Sequence, residues 1–299
     1  MRVTDRLRFQ NAQLYTTTAS ESMQAAFDQL SSGLRVVQPG DDPIAAGLIV
    51  SYKAQVSRMQ AIADSAQRAV DELDSADGAM ATMTNMLSRA HDLAIQFSNG
   101  SYGAEERASA APEVGQIFEQ MIAVLNTQVA GRFIFSGDLD TTTPFDGAGL
   151  YHGDDNTRQI EIAPGVLGST SVSMNVAVKG FGGGTDVLTA LQNFQTALTN
   201  NDATGIATAL SSLDTGLRQM TTARSSGGAS TNTLQTAISA AQAGQVNNNK
   251  TISNLQDTDI VAATSRLALA QHALQATLDA TQRTLSLSLL TANGGGPAL

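Results

Sequence analysis

Heptad-spaced residues at the two ends of the chain constrain its fold more than any other feature. Toward the C-terminus Ile260, Leu267, Leu274 and Thr281 recur every seven residues, and Thr264, Gln271, Leu278 and Leu285 form an interleaved set. That is the spacing of a helical seam in a coiled coil. At the other end Leu7 and Leu14 lie seven apart, and Phe27, Leu30 and Leu34 follow at helical steps. Two seams nearly a whole chain apart predict that the ends pair.

Between them the pattern changes several times. Leu30 to Pro43 contains Gly33, Pro39, Gly40 and the pair Asp41-Asp42, which break the first helix and allow a sharp connection. Asp42 is placed to cap the next helix, with Pro43 in its first turn. A helical period then runs from about Ile44 to Phe97, through Ile62, Val70, Leu73, Met80, Met83, Leu87 and Leu93, and Asn99-Gly100 and Tyr102-Gly103 end it. A partner helix from about Ala104 to Ala130 makes an antiparallel hairpin with it, and Pro112 marks a start or a break.

From Gly131 onward short alternating runs read as strands: Phe133-Ile134-Phe135, Ile160 with Ile162, and Val172, Met174, Val176 and Val178. Val187 to Leu198 and Ile206 to Met220 are helical, and a last helical region extends from Asn232 to Leu290. The expected fold is mainly α: a long antiparallel helical rod with coiled-coil helices at both termini and a small β-rich insert at its tip. The tail from Asn293 to Leu299 has the composition of a flexible end.

Charge and chemistry narrow the function. Charged residues make up 15% of the 299 positions, against roughly a quarter in ordinary globular chains. Both ends are near neutral, so the excess behind the formal charge of -10 lies in the middle, where it would repel polyanions. The arginines Arg2, Arg6 and Arg8 are too few for a nucleic-acid surface. No run approaches a membrane span, and no secretory apolar core follows the N-terminus. Cysteine is absent, which excludes disulfides and thiolate metal sites.

The remaining motifs are weak. His91, His152 and His272 are scattered, and Asp71, Asp74 and Asp77 lie at three-residue steps that form no calcium loop but rather a solvated acidic face. Asp138, Asp140, Asp146, Asp154 and Asp155 suit turns. Gly180-Phe181-Gly182-Gly183-Gly184-Thr185 imitates a dinucleotide loop, but its third fingerprint position is Thr185 and no βαβ unit surrounds it, so it reads as a flexible hinge. No nucleophile elbow is present. The expectation is a non-enzyme without cofactor or metal, and with neither nucleic acid nor membrane as partner. The seams are thin, carry Thr and Gln, and include Ala263, Ala270 and Ala273, which let helices approach closely. They favour assembly with other copies over a simple internal core.

Leu30 to Ile49, LSSGLRVVQPGDDPIAAGLI, resembles the N-terminal signature of bacterial flagellins and their junction relatives, and Asn254 to Leu290 resembles their C-terminal helix. Gly131-Arg132-Phe133-Ile134-Phe135-Ser136-Gly137 and the Asp41-Asp42-Pro43 form of the signature are similar to the junction branch of that family. The tail ANGGGPAL departs from its usual ending. The resemblance implies a terminal inner-tube domain (1–40 with 256–299), a helical rod domain (41–137 with 186–255) and an outer β-rich insert (138–185). It implies export through the flagellum and a structural role joining hook to filament, on the outside of the cell. Its implied partners are further copies in a helical or ring-like layer, flagellin, the other hook-associated junction protein and an export chaperone. Leu87 to Gln96 resembles a packing segment of flagellins, which adds Arg89 and Leu93 to the expected assembly residues Leu7, Leu14, Phe27, Leu30, Leu34, Ile260, Leu267, Leu274, Leu278 and Leu285. The alternatives are a filament subunit and a secreted binding module that uses the β insert.

Overall fold

The computed structural model describes residues 2–293. The side chains of residues 2–5, 8, 284–285 and 287–293 lie outside the described set, and so do the expected assembly role of Leu285 and the glycine-rich tail. In chain order the elements are α1 (Arg2–Ser32), α2 (Pro43–Ser98), α3 (Ala104–Leu125), β1 (Gln128–Val129), β2 (Arg132–Phe133), β3 (Gln159–Ala163), β4 (Val166–Ser169), α4 (Met174–Ala177), α5 (Val187–Thr199), α6 (Ala203–Gln256) and α7 (Ile260–Asn293). The fold is mainly α, as the periodicity implies. The chain divides into two compact units, residues 1–58 with 244–299 and residues 59–243, whereas the sequence reading divides it in three.

In the first unit the break after α1 forms as its residues dictate. Asp41 Oδ2 accepts the N–H groups of Val37 at 2.9 Å and Gln38 at 2.8 Å, which curls the connector. Asp42 Oδ1 accepts the Ala45 N–H at 3.0 Å, so it caps α2 behind Pro43. Val36, Ala45, Ile49 and Ile252 are buried together against Tyr52, Val56 and Leu255.

The second unit holds the main core. Along α2 the buried positions 62, 66, 69, 73, 76, 80, 83, 87, 90, 94 and 97 advance by alternating steps of four and three, with alanines between the larger side chains. α6 repeats the pattern from Ile206 through Leu213, Met220, Gly227 and Leu234 to Ala241. The expected break between Met220 and Asn232 is absent, because Gly227 and the half-buried Ser230 occupy seam positions without advertising themselves as apolar. Gly227 has a local purpose, since a Cβ there would stand 3.3 Å from Val172 Cγ2. Arg224 pins the same stretch to α2 by two bonds to Asp77, at 2.8 and 3.0 Å. Asp77 is therefore paired, although its side chain is still about half exposed.

α3 stops at Leu125, five residues short of Ala130, and runs unbroken across Pro112. Its early turns receive Arg107, a buried cation whose Nε donates to the Phe97 carbonyl at 3.1 Å and whose Nη1 donates to Asn201 Oδ1 at 2.7 Å. A guanidinium at the exposed carbonyls ending α2 completes that terminus electrostatically.

The β segments are smaller than their alternation suggests. β1 pairs antiparallel with β2, which ends at Phe133 because Ile134 and Phe135 turn into the core. Gly137 closes the GRFIFSG stretch at φ +70°, where a Cβ would collide with Asp154. The Val172–Val178 run is no strand: Ser173 caps the short helix α4, and Met174 and Ala177 are buried on one side of it. The β3–β4 hairpin does not crown the end of the helices. Ile160 and Ile162 pack on Ala66, Ala69, Val70, Leu73 and Leu234, and Arg158 joins Glu72 at 2.6 Å with both side chains mostly covered. The glycine-rich 180–185 segment is no loose hinge either. Gln219 accepts the Thr185 N–H at 2.6 Å and donates to its carbonyl at 3.1 Å.

Candidate assembly surface

The two terminal helices do meet, within the first unit. α1 packs on α7, and the pair is antiparallel, because Leu34 bridges Asp257 and Tyr15 and Ala19 share a groove with Ala270 to Ala280. The covered positions of α1 are Ala12, Thr16, Ala19, Met23, Ala26 and Leu30. Those of α7 are Ala263, Leu267, Ala270, Leu274, Thr277 and Thr281. Both sets step by four and three, so each is a heptad seam.

This seam differs from the expected one. Leu267, Leu274 and Thr281 belong to it, but the interleaved positions are Ala263, Ala270 and Thr277 rather than Thr264, Gln271 and Leu278. Ile260 is exposed at the start of α7, and Leu278 is exposed. Leu30 on α1 and Leu34 just beyond it are half-buried, while Leu7, Leu14 and Phe27 are exposed, the last two at 61% and 54%. Alanine and threonine take several of the places where large apolar residues were expected, beside Leu267 and Leu274. The seam threonines fit because their hydroxyls bond inside their own helices, Thr16 to the Ala12 carbonyl at 2.9 Å and Thr281 to the Thr277 carbonyl at 2.7 Å. Their methyl groups are then free to face the partner helix.

Two consequences follow for the surface. Outside the seam, α1 presents Leu7, Phe9, Leu14, Tyr15 and Phe27, and α7 presents Ile260, Val261, Leu269 and Leu278. So many large apolar groups exposed on two helices is more than the surface of a monomer usually carries. Beside the seam, Ala19, Ala270, Ala273, Ala276 and Ala280 line a shallow, open groove of about 510 Å³.

One end of the helix pair is held by the connector. Arg35 donates to Asp42 at 3.0 Å and to the Leu255 carbonyl at 2.6 Å, while its own N–H reaches the Gln256 carbonyl at 2.6 Å. The Thr258 N–H returns to the Gly33 carbonyl at 2.9 Å. The Ala45 N–H, then Arg35, hold the Asp42 carboxyl below the usual carboxylate range. Sequence reasoning passes over Arg35, although a single arginine among Gly, Pro and Asp is the available signal.

Of the two expected contact residues on α2, Leu93 is 3% exposed and packs in the core of the second unit, so it cannot serve as a contact between subunits. The heptad stripe of α2 turns it inward. Arg89 stands on the outer side and pairs with Glu113 of α3 at 2.7 Å. Among the described residues no group of three or more His, Cys, Asp or Glu could hold a metal ion, and no helix is long and apolar enough to cross a membrane.

Long heptad-stepped helices, paired termini and a small β insert make up the fold, and residues 6–140 match the bacterial flagellin N-terminal helical region. Similarity runs along nearly the whole length to flagellar hook-associated protein 3 of Salmonella typhimurium, 28% identical over 92% of this chain and 94% of the relative. Flagellin B of Vibrio cholerae, 29% identical, aligns over 54% of this chain and 42% of its own. The structure of flagellar hook-associated protein 3 from Legionella pneumophila superposes with a TM-score of 0.61 at 15% identity, over 69% of this chain and 98% of that one.

Proposed function

We propose that this chain is a non-catalytic structural subunit of the bacterial flagellum, the adapter layer that joins hook to filament. Its similarity to hook-associated protein 3 runs over 92% of this chain, which is the observation that carries the reading. Similarity to a flagellin stops at about half the chain, which disfavours a bulk filament subunit.

The mechanism is packing. The α1–α7 seam mixes alanine and threonine with Met23, Leu30, Leu267 and Leu274 and leaves Leu7, Leu14, Phe27 and Leu278 uncovered, so neighbouring copies complete it. Leu7, Leu14, Phe27, Ile260 and Leu278 are the groups that a neighbour covers, each contributing roughly 1.5–3 kcal/mol when fully buried. Repeated head-to-tail, such contacts generate a ring or helical layer. In this reading residues 1–40 with 256–299 form the inner layer, the intervening helices the next, and the β-rich segment the outside. Flagellin, a second junction protein and an export chaperone are the partners, and the protein works outside the cell.

Purified chain added to hook or filament ends tests this. A layer that stops growing supports the adapter role, and long filaments built from this chain alone overturn it.

A further inference from the structure

The second unit contains an open groove of about 620 Å³ that the assembly role does not use. It lies where the end of the β3–β4 hairpin, α4 and the glycine-rich turn meet α6. Eight of its fifteen lining residues are serine or threonine, and none is aspartate or glutamate. In a chain with a formal charge of -10, a wall free of carboxylates is a local exception. The cation among those residues is Arg218, on the exposed side of α6.

The hydroxyls divide into two groups. Ser171 and Ser173 accept the N–H groups of Arg158 and Val176, and Ser169, Thr215 and Thr222 donate to the carbonyls of Ser171, Ser211 and Arg218. Thr157, Ser226 and Ser230 keep both donor and acceptor capacity toward the groove. Between them Val172, Val176 and Ala223 supply apolar wall. Arg218 bonds Asp214 at 2.5 Å and the Thr215 hydroxyl at 3.3 Å, but its pair with Asp214 is exposed, so an incoming carboxylate can compete for it.

We propose that this groove binds a small acidic sugar. The hydroxyl wall matches a polyol, the valine and alanine surface matches the C–H face of a pyranose, and Arg218 takes the carboxylate. The size lies within the range of small-molecule sites.

The test uses the full chain and three probes, D-glucuronate, D-glucose and acetate, with affinity read by calorimetry or saturation-transfer NMR. Glucuronate is expected to bind with a Kd near about 1 mM, at least about tenfold tighter than either other probe. Arg218→Gln should bring glucuronate down to the level of glucose. Ser226→Leu, an exposed position whose fold is checked by circular dichroism, should weaken both sugars by about tenfold. Absence of glucuronate binding at about 20 mM, or equal binding by both variants and the parent chain, overturns the proposal.

Discussion

Asp77 on α2 and Arg224 on α6 are joined by two parallel hydrogen bonds, 2.8 and 3.0 Å long, beside the glycine pair of α6. Hydrogen bonding from Arg224 holds the Asp77 carboxyl below the usual carboxylate range. A carboxyl depressed in the folded state stabilises above its unfolded value, near 3.8, and that stabilisation is lost as pH falls through the folded value. Both side chains are over a third exposed, so Arg224→Met should cost only about 0.5–1 kcal/mol at pH 7. Melting curves of parent and variant should converge toward pH 2, and a gap that persists there would sink the assignment.

Leu93 and Leu14 should separate stability from assembly. Leu93→Ala empties a core site and should destabilise by about 2–5 kcal/mol. Leu14→Ala should leave unfolding within about 0.5 kcal/mol of the parent. In a seeding assay on filament ends Leu14→Ala should incorporate poorly, and normal incorporation would count against the exposed face.

Ala263 is 1% exposed on the α7 seam. Ala263→Leu forces the helices apart and should cost about 1–3 kcal/mol. The loss should appear in the first unit, as amide exchange rising in α1 and α7 while α3 and α5 stay protected. Uniform loss across both units would show that the seam is not closely packed.

Deleting residues 1–35 should leave the second unit folded, since its core draws only on residues of that unit. The truncated chain should be soluble and fail to join a filament end. Normal incorporation would refute the role given to α1.

Much of this is readable from residue spacing. The heptad run of α2 is legible because Met80, Met83, Leu87 and Phe97 are large, and the Asp42–Pro43 cap follows from local chemistry alone. α6 is not legible at its centre, where Gly227 and Ser230 stand in seam positions and Gly227 makes room for Val172. The α1–α7 seam misleads for a related reason. Periodicity picks out leucines, but alanine and threonine share the seam with Leu267 and Leu274, while Leu14 and Leu278 stay exposed. The Val172–Val178 alternation fails as a strand because Ser173 can cap a turn and only Met174 and Ala177 of α4 face inward. Arg35 and Arg107 escape notice because their bonds go to main-chain carbonyls far along the chain or at a helix end, which no spacing rule encodes.

The repeated alanines at 12, 19 and 26, facing repeats at 263 and 270, would fit nearly as well after a slide of one heptad. Shape alone therefore does not choose the register of α1 on α7. The choice is made at one end, where Arg35 grips the carbonyls of Leu255 and Gln256. An arginine that touches neither seam nor exposed face thereby fixes which large side chains stand side by side on the outer surface, and so what a neighbouring subunit meets.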